Sequence, residues 1–130
     1  MKKLFVSVPM KGRTEEEIRK SIDKMKKIVE IYEGEELELI DSYIEHKPPQ
    51  DNNQAIWYLG ESLKKLSEAD VFVTIDDSYE WNGCWTERGV AERYEIKRYT
   101  IPAHCVIDNY REVYRNAHPV ADGSCTCSPR

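Results

Sequence analysis

The chain has 130 residues, the size of one domain that buries roughly two-thirds of the surface exposed by its unfolded form. Its 24 acidic and 19 basic residues leave a net charge of −5, and the lysines are spread among glutamates, which argues against binding to a nucleic-acid polymer. No apolar run approaches the ~20 residues of a membrane span, and the N-terminal apolar stretch is too short for a signal peptide, so we expect a cytoplasmic protein.

The first predicted strand covers Lys2–Val8, and an amphipathic helix follows it. Thr14 and Glu17 have the spacing of a capping box, which marks the start of a helix. Apolar residues then recur at helical spacing, and the pattern stops at Gly34. The chain therefore opens with a strand–turn–helix unit.

The turn inside this unit, residues 9–13, contains proline, glycine and two cations. It places free backbone N–H groups, Lys11 and Arg13 near the carboxyl end of the strand. Such a corner suits a phosphate or a sugar hydroxyl. An ordinary turn with surface cations explains the pattern equally well.

A second strand is predicted over Leu37–Ile40 and Tyr43–Ile44, parallel to the first because a helix connects the two. Two prolines end it, and their loop lies at the same edge of the sheet as the first turn. His46 in this loop is a candidate ligand contact, although a lone loop histidine is more often solvated. Asp51 or Asn52 is predicted to cap a second helix, which has apolar residues at three- and four-residue spacing.

The third strand and the helix after it carry the strongest candidate residue. The apolar run Val71–Ile75 is typical of a covered central strand, and it ends in two aspartates. Residues 81–83 have turn chemistry and a helical pattern starts at Trp85, which puts Glu87 in the first helical turn. There, backbone N–H groups and the helix dipole would keep the carboxylate ionised at the edge where ligands bind. A surface glutamate that merely favours a helix N-terminus is the alternative.

The remaining pattern predicts a fourth strand over Tyr99–Ile101 and Val106–Ile107, interrupted near Pro102, and a last helix capped by Asp108. Alternating strands and helices favour an α/β class: a single Rossmann-like (flavodoxin-like) domain with a parallel sheet of four to five strands flanked by helices. The glycine fingerprint of dinucleotide enzymes is missing after the first strand, which argues against a standard dehydrogenase.

We assign residues 1–116 to this domain and expect residues 117–130 to be a flexible polar tail. Without a secretory signal, free thiols are expected for the four cysteines, Cys84, Cys105, Cys125 and Cys127. Cys125 and Cys127, with His104 and His118 nearby in sequence, match no common zinc spacing, so we expect no metal site.

Four segments along the chain carry short motifs whose order resembles that of one protein family. They are Phe5–Gly12, Leu39–Ile44, Ser62–Asp70 and Gly83–Glu87. Together they resemble the nucleoside 2-deoxyribosyltransferase superfamily, and most closely its small phage and bacterial branch. The resemblance spans about Lys3 to Pro102. It implies a five-stranded Rossmann-like domain without a cofactor that cleaves or exchanges the N-glycosidic bond of a nucleoside or nucleotide.

In that family, the glutamate that matches Glu87 is the nucleophile: it attacks the anomeric carbon, releases the base and leaves a covalent glycosyl ester. A retaining displacement needs one ionised carboxylate on a rigid element, which agrees with the position predicted for Glu87. Asp76 and Asp77, at the strand end, are the local candidates for the acid that protonates the leaving base.

The resemblance also implies a set of substrate contacts. These are Ser7, Pro9, Met10, Lys11, Gly12, Arg13, Ser42, Ser62, Trp81, Asn82 and Gly83. Of the aromatic residues, Trp81 or Tyr79 would stack on the base. The chain departs from the family at Ser62, where many transferases carry aspartate, and at Trp81, where some members carry an acid or a serine.

Three functions stay open at this point. The first is the enzyme, and the second is a protein that holds a nucleotide in the same pocket without cleaving it. The third is an interaction module in which the helix with Trp57 and Tyr58 forms an interface. We expect a nucleoside or nucleotide as the small-molecule partner, no nucleic-acid polymer, no membrane, and a homodimer or higher homo-oligomer, as is usual in the family.

Overall fold

A four-stranded parallel sheet forms the centre of the computed structural model, which describes residues 1–44 and 47–119. The strands are β1 (Lys3–Val6), β2 (Glu38–Leu39), β3 (Val71–Ile75) and β4 (Lys97–Ile101). Their order is β2-β1-β3-β4, and each neighbouring pair is parallel. The prediction of an α/β, Rossmann-like domain is therefore confirmed, with four strands in the described part of the chain.

Helices connect and cover the strands. They are α1 (Glu15–Glu33), α2 (Gln54–Leu66), α3 (Asn82–Arg93), α4 (Ala103–Val106) and α5 (Tyr110–Ala117), and a 3₁₀ turn (Ser78–Glu80) precedes α3. Of the helices in residues 1–44 and 47–119, none has the length and apolarity needed to cross a bilayer.

Each face of the sheet has its own apolar core, because alternate strand residues point to opposite faces. On one face, Leu4 and Val6 pack with apolar residues of α1 and α4. On the other, Phe5 and Phe72 are register partners, and their parallel rings lie 6.0 Å apart in a core shared with Leu66 of α2. A sheet buried on both faces requires near-continuous apolar strands, as β3 shows.

The strand order creates a crevice at the carboxyl ends of β1 and β3. From β1 the chain passes to β2 on one side of the sheet, and the later strands β3 and β4 lie on the other side. The connections that follow β1 and β3 therefore diverge. Open α/β sheets bind their ligands at such a switch point.

The helix starts agree with the sequence patterns for α1 and differ slightly for α2. The Thr14 side chain accepts from the Glu17 N–H and the Glu17 carboxylate accepts from the Thr14 N–H, so the predicted capping box is confirmed. The cap of α2 is Asn53 rather than Asp51 or Asn52, because its side chain accepts a first-turn N–H at 3.1 Å.

The prediction was wrong for the segment after β4. Pro102 follows the strand, and Val106 belongs to the short helix α4, whose first N–H is accepted by the Asp76 carboxylate at 3.1 Å. Asp108 does not cap α5; its carboxylate binds two lysines of α1 at 2.8 and 3.1 Å. Asn109, in the left-handed region at φ 53°, starts α5 instead.

Two other boundaries also differ from prediction. β2 is limited to two residues, and Tyr43–Ile44 lie beyond it. α5 continues through Ala117, one residue past the predicted end of the domain. The predictions for His46, Cys125 and Cys127 fall outside the described residues.

A single carboxylate ties three elements together at the amino end of the sheet. Glu33, the last residue of α1, lies 2.6 Å from Lys97 Nζ and 3.3 Å from Lys2 Nζ, and it accepts a hydrogen bond from the Tyr99 hydroxyl. These bonds, led by the one from Lys97, lower the pKa of Glu33 from the ordinary 4.5 to about 2.

We predict that Glu33→Gln lowers the thermal midpoint by a few degrees near neutral pH, because the variant keeps the size of the side chain and loses its charge. Since the folded-state pKa is depressed, the stabilisation is full above the unfolded value of 4.5 and is lost as the pH falls toward about 2. Thermal unfolding at several pH values should show that the difference in midpoint between the wild type and Glu33→Gln becomes smaller in acid. The exposed Glu36→Gln is the matched control, and a pH-independent difference would contradict the role of charge.

Candidate functional site

Glu87 lies in the second turn of α3 rather than in the first. The helix begins at Asn82, directly after Trp81, whose extended backbone (φ −129°, ψ 114°) forms the N-cap. Asn82 and Gly83, which were predicted as turn residues, are therefore the first helical residues, and Glu87 is the sixth along Asn82–Arg93. At that position the backbone N–H is bonded within the helix, so the helix terminus does not hold the carboxylate as expected.

Two serine hydroxyls hold the Glu87 carboxyl group instead. Ser7 Oγ, one residue past β1, donates to Oε1 at 2.6 Å, and Ser62 Oγ, on α2, donates to Oε2. All three side chains are buried. Three elements of the fold thus meet at one carboxyl group at the switch point of the sheet, and both of its oxygens have defined directions.

Burial dominates the electrostatics of this group. Removal from water raises the pKa of Glu87, and the hydrogen bonds from Ser62 and Ser7 offset this effect only in part. The raised pKa favours the neutral carboxyl, whereas a helix start was expected to keep it ionised. The neighbouring Cys84 thiol is buried too, and burial together with the charge of Glu87 raises its pKa, which makes it a poor nucleophile.

A cavity of about 700 Å³ opens over Glu87, a volume typical of sites for small organic ligands. The predicted contact residues on its lining are Pro9, Met10, Lys11, Arg13, Ser42, Ser62, Trp81, Asn82 and Gly83. Ser7 takes part through its bond to Glu87. Gly12 is absent from the lining and forms the turn with a left-handed φ of 73°. Tyr79, expected to stack on a base, is exposed and also lies outside the lining.

The two aspartates expected to supply the second acid do not line the cavity. Asp76 accepts the Ala103 N–H at 3.1 Å, and Asp77 accepts the Tyr110 hydroxyl. In this structure they hold α4 and α5 against the end of β3. A position at the carboxyl edge of the sheet does not decide which neighbouring element a side chain contacts, because both aspartates lie beyond the end of β3.

The two cations of the first turn are bonded to the protein itself. Arg13 Nη1 donates to Pro9 O at 2.9 Å, and Nη2 donates to Ser21 Oγ at 2.6 Å. Lys11 Nζ donates to Ala117 O at 3.4 Å, which joins the turn to the end of α5. Arg13 therefore shapes the turn, while the exposed Lys11 remains accessible at the rim of the cavity.

Sequence reasoning missed the contribution of α5. Ala117 and His118 line the cavity. The rings of Tyr110, Tyr114 and His118 pack around Trp81, whose indole N–H donates to the Tyr110 hydroxyl at 3.1 Å. These three rings recur every four residues, which is the signal in the sequence that would have identified this face. Trp81 is thus a buried wall of the cavity with a fixed orientation.

Within residues 1–44 and 47–119, no three His, Cys, Asp or Glu side chains are grouped in a way that would hold a metal ion. Cys84 and Cys105 are free thiols, as predicted. No family model, no curated protein and no solved structure matches this chain. The chemistry of the site therefore has to be inferred from its own residues and their geometry.

We predict that Glu87→Gln raises the thermal midpoint at neutral pH, because an amide avoids the cost of ionising a buried carboxyl and still bonds to both serines. The folded-state pKa of Glu87 lies above the ordinary 4.5. The wild type therefore loses stability relative to the variant as the pH rises above 4.5. Below about pH 4 the carboxyl is neutral in both states and the difference should disappear. Scanning calorimetry at several pH values measures this difference in thermal midpoint, with the exposed Glu92→Gln as control. A variant less stable than the wild type at neutral pH would show that burial is not the dominant effect.

Proposed function

We propose that this chain is a nucleoside or nucleotide N-glycosidase or 2-deoxyribosyltransferase in which Glu87 is the nucleophile. The observation that carries the proposal is the buried Glu87 carboxyl, which Ser7 and Ser62 hold in the wall of a cavity at the switch point of the sheet. Positioned carboxylates form the covalent glycosyl intermediates of retaining displacements. The ordered motifs that resemble the 2-deoxyribosyltransferase superfamily support the same chemistry.

The lining of the cavity suits the parts of a nucleotide. Tyr43, Tyr58 and Trp81 supply flat apolar surfaces for a base. The Asn82 amide has donors and an acceptor for the edge of a base or for a sugar hydroxyl. Lys11, exposed at the rim, suits a 5′-phosphate.

In the proposed reaction the ionised Glu87 attacks the anomeric carbon. A carbon–oxygen bond forms while the bond to the base nitrogen breaks, and its electron pair leaves with the base. Water or a second base then attacks the same carbon and releases the carboxylate. Ser7 and Ser62 keep the carboxylate oxygens oriented and stabilise their charge. Because burial raises the pKa of Glu87, the rate should rise with pH through a pKa above that of an ordinary glutamate.

We predict that Glu87→Gln lowers base release by at least about 10³-fold, because an amide cannot form the glycosyl ester. The measurement is chromatography of free base from a panel of purine and pyrimidine nucleosides and their 5′-monophosphates. Glu92→Gln, an exposed substitution on the same helix, should retain full activity. A wild type that is inactive on the whole panel, or a fully active Glu87→Gln variant, would reject the enzyme.

One observation favours a second function, the binding of a nucleotide without cleavage. Both oxygens of Glu87 already accept hydrogen bonds, and its raised pKa favours the neutral form, which is not a nucleophile. Calorimetric titration with the same panel tests this function. Tight binding that persists in Glu87→Gln, with no base released by the wild type, would support the binding protein.

A further inference from the structure

The lining of the cavity includes a second acidic residue besides Glu87. In the part of the chain that the structure describes, Glu80 and Glu87 are the acidic residues on its lining. A base leaves a sugar readily only when a proton reaches one of its nitrogens, unless the base is already activated. We propose that Glu80 is the general acid that supplies this proton, an inference that rests on the proposed N-glycosidic chemistry.

Helix α5 holds Glu80 in place through two residues. The Tyr114 hydroxyl donates to Glu80 Oε2 at 2.8 Å, and His118 Nε2 lies 2.6 Å from the backbone carbonyl of Glu80. The Tyr114 and His118 rings are themselves stacked, with centroids 4.2 Å apart and planes at 19°. Both the backbone and the side chain of Glu80 are therefore positioned by α5 and by His118 directly after it.

One oxygen of Glu80 is left for a ligand. Within residues 1–44 and 47–119, Oε1 has no hydrogen-bond donor, while Oε2 accepts from Tyr114. Because the Tyr114 hydroxyl occupies Oε2 as a donor, the acidic proton of a neutral Glu80 belongs on Oε1. The hydrogen bond thus selects which oxygen of a neutral Glu80 carries the proton.

Glu80 and Glu87 have different surroundings, as two carboxyls with different roles require. Glu87 is buried and has both oxygens bonded to serines. Glu80 is only partly buried and lies in the 3₁₀ turn before Trp81. Both belong to one continuous segment, the 3₁₀ turn and α3.

The proposed step conserves protons and electrons. The O–H bond of Glu80 breaks as its proton moves to a nitrogen of the base, and the electron pair of the glycosidic bond goes to the base. Glu87 meanwhile forms its ester with the anomeric carbon. In the second half, the Glu80 carboxylate takes the proton of the attacking water, which restores both carboxyl groups.

Leaving-group dependence tests this role. We expect Glu80→Gln to lower base release from 2′-deoxyguanosine and 2′-deoxyuridine, and from their 5′-monophosphates, by about 10²-fold or more. Release from the N7-methylated guanine and 5-fluorinated uracil counterparts should fall less than about tenfold, because these bases leave with little or no protonation. Tyr114→Phe, which removes only the donor to Glu80, should give a smaller loss with the same selectivity.

The outcomes separate this assignment from the proposed function. Equal losses on activated and ordinary substrates, or no loss on either, overturn the role of Glu80 and leave Glu87 as the nucleophile. A wild type that releases base from neither class overturns the proposed function and this inference with it. Turnover of the activated substrates by Glu80→Gln within about tenfold of the wild type shows that the variant is folded, and Glu92→Gln is the control for the preparation.

Discussion

The pair of hydrogen bonds from Ser7 and Ser62 to Glu87 is the constraint on which the site depends. Burying a neutral polar group without hydrogen-bond partners costs about 2–7 kcal/mol. The Glu87 carboxyl therefore needs hydrogen-bond donors at the place where it is buried. Its partners come from the end of β1 and from α2, while Glu87 itself is on α3. Phe5 of β1, two residues before Ser7, stacks on its register partner Phe72 of β3.

The rest of the site is built outward from this carboxyl. The cavity wall beside it is Trp81, and α5 holds that ring through Tyr110, Tyr114 and His118. Helix α5 therefore belongs to the site although it follows the strands in sequence. Burial raises the pKa of Glu87, so the arrangement is less stable at neutral pH than an uncharged core would be. Such a cost at a buried carboxyl that two hydrogen bonds hold in one orientation is typical of a functional group rather than of a structural one.

Local patterns account for the parts of this protein that were predicted correctly. The capping box at Thr14, the left-handed Gly34 at the end of α1 and the apolar run of β3 act over a few residues, so they are visible without the fold. Alternation of strands with helices then leads to a parallel sheet. The position of Glu87 beside the carboxyl edge follows from the same reasoning, although its helical turn does not.

The sequence by itself therefore determined the α/β class, α1 and the identity of the central carboxyl residue. Only the tertiary structure decided which groups meet at that residue, because Ser7 and Ser62 are 80 and 25 positions away along the chain. It also decided that Asp76 and Asp77 bond to α4 and α5 while Glu80 belongs to the lining of the cavity. The direction of a side chain at a strand end depends on sheet order and on the docking of distant helices, and no local spacing contains that information.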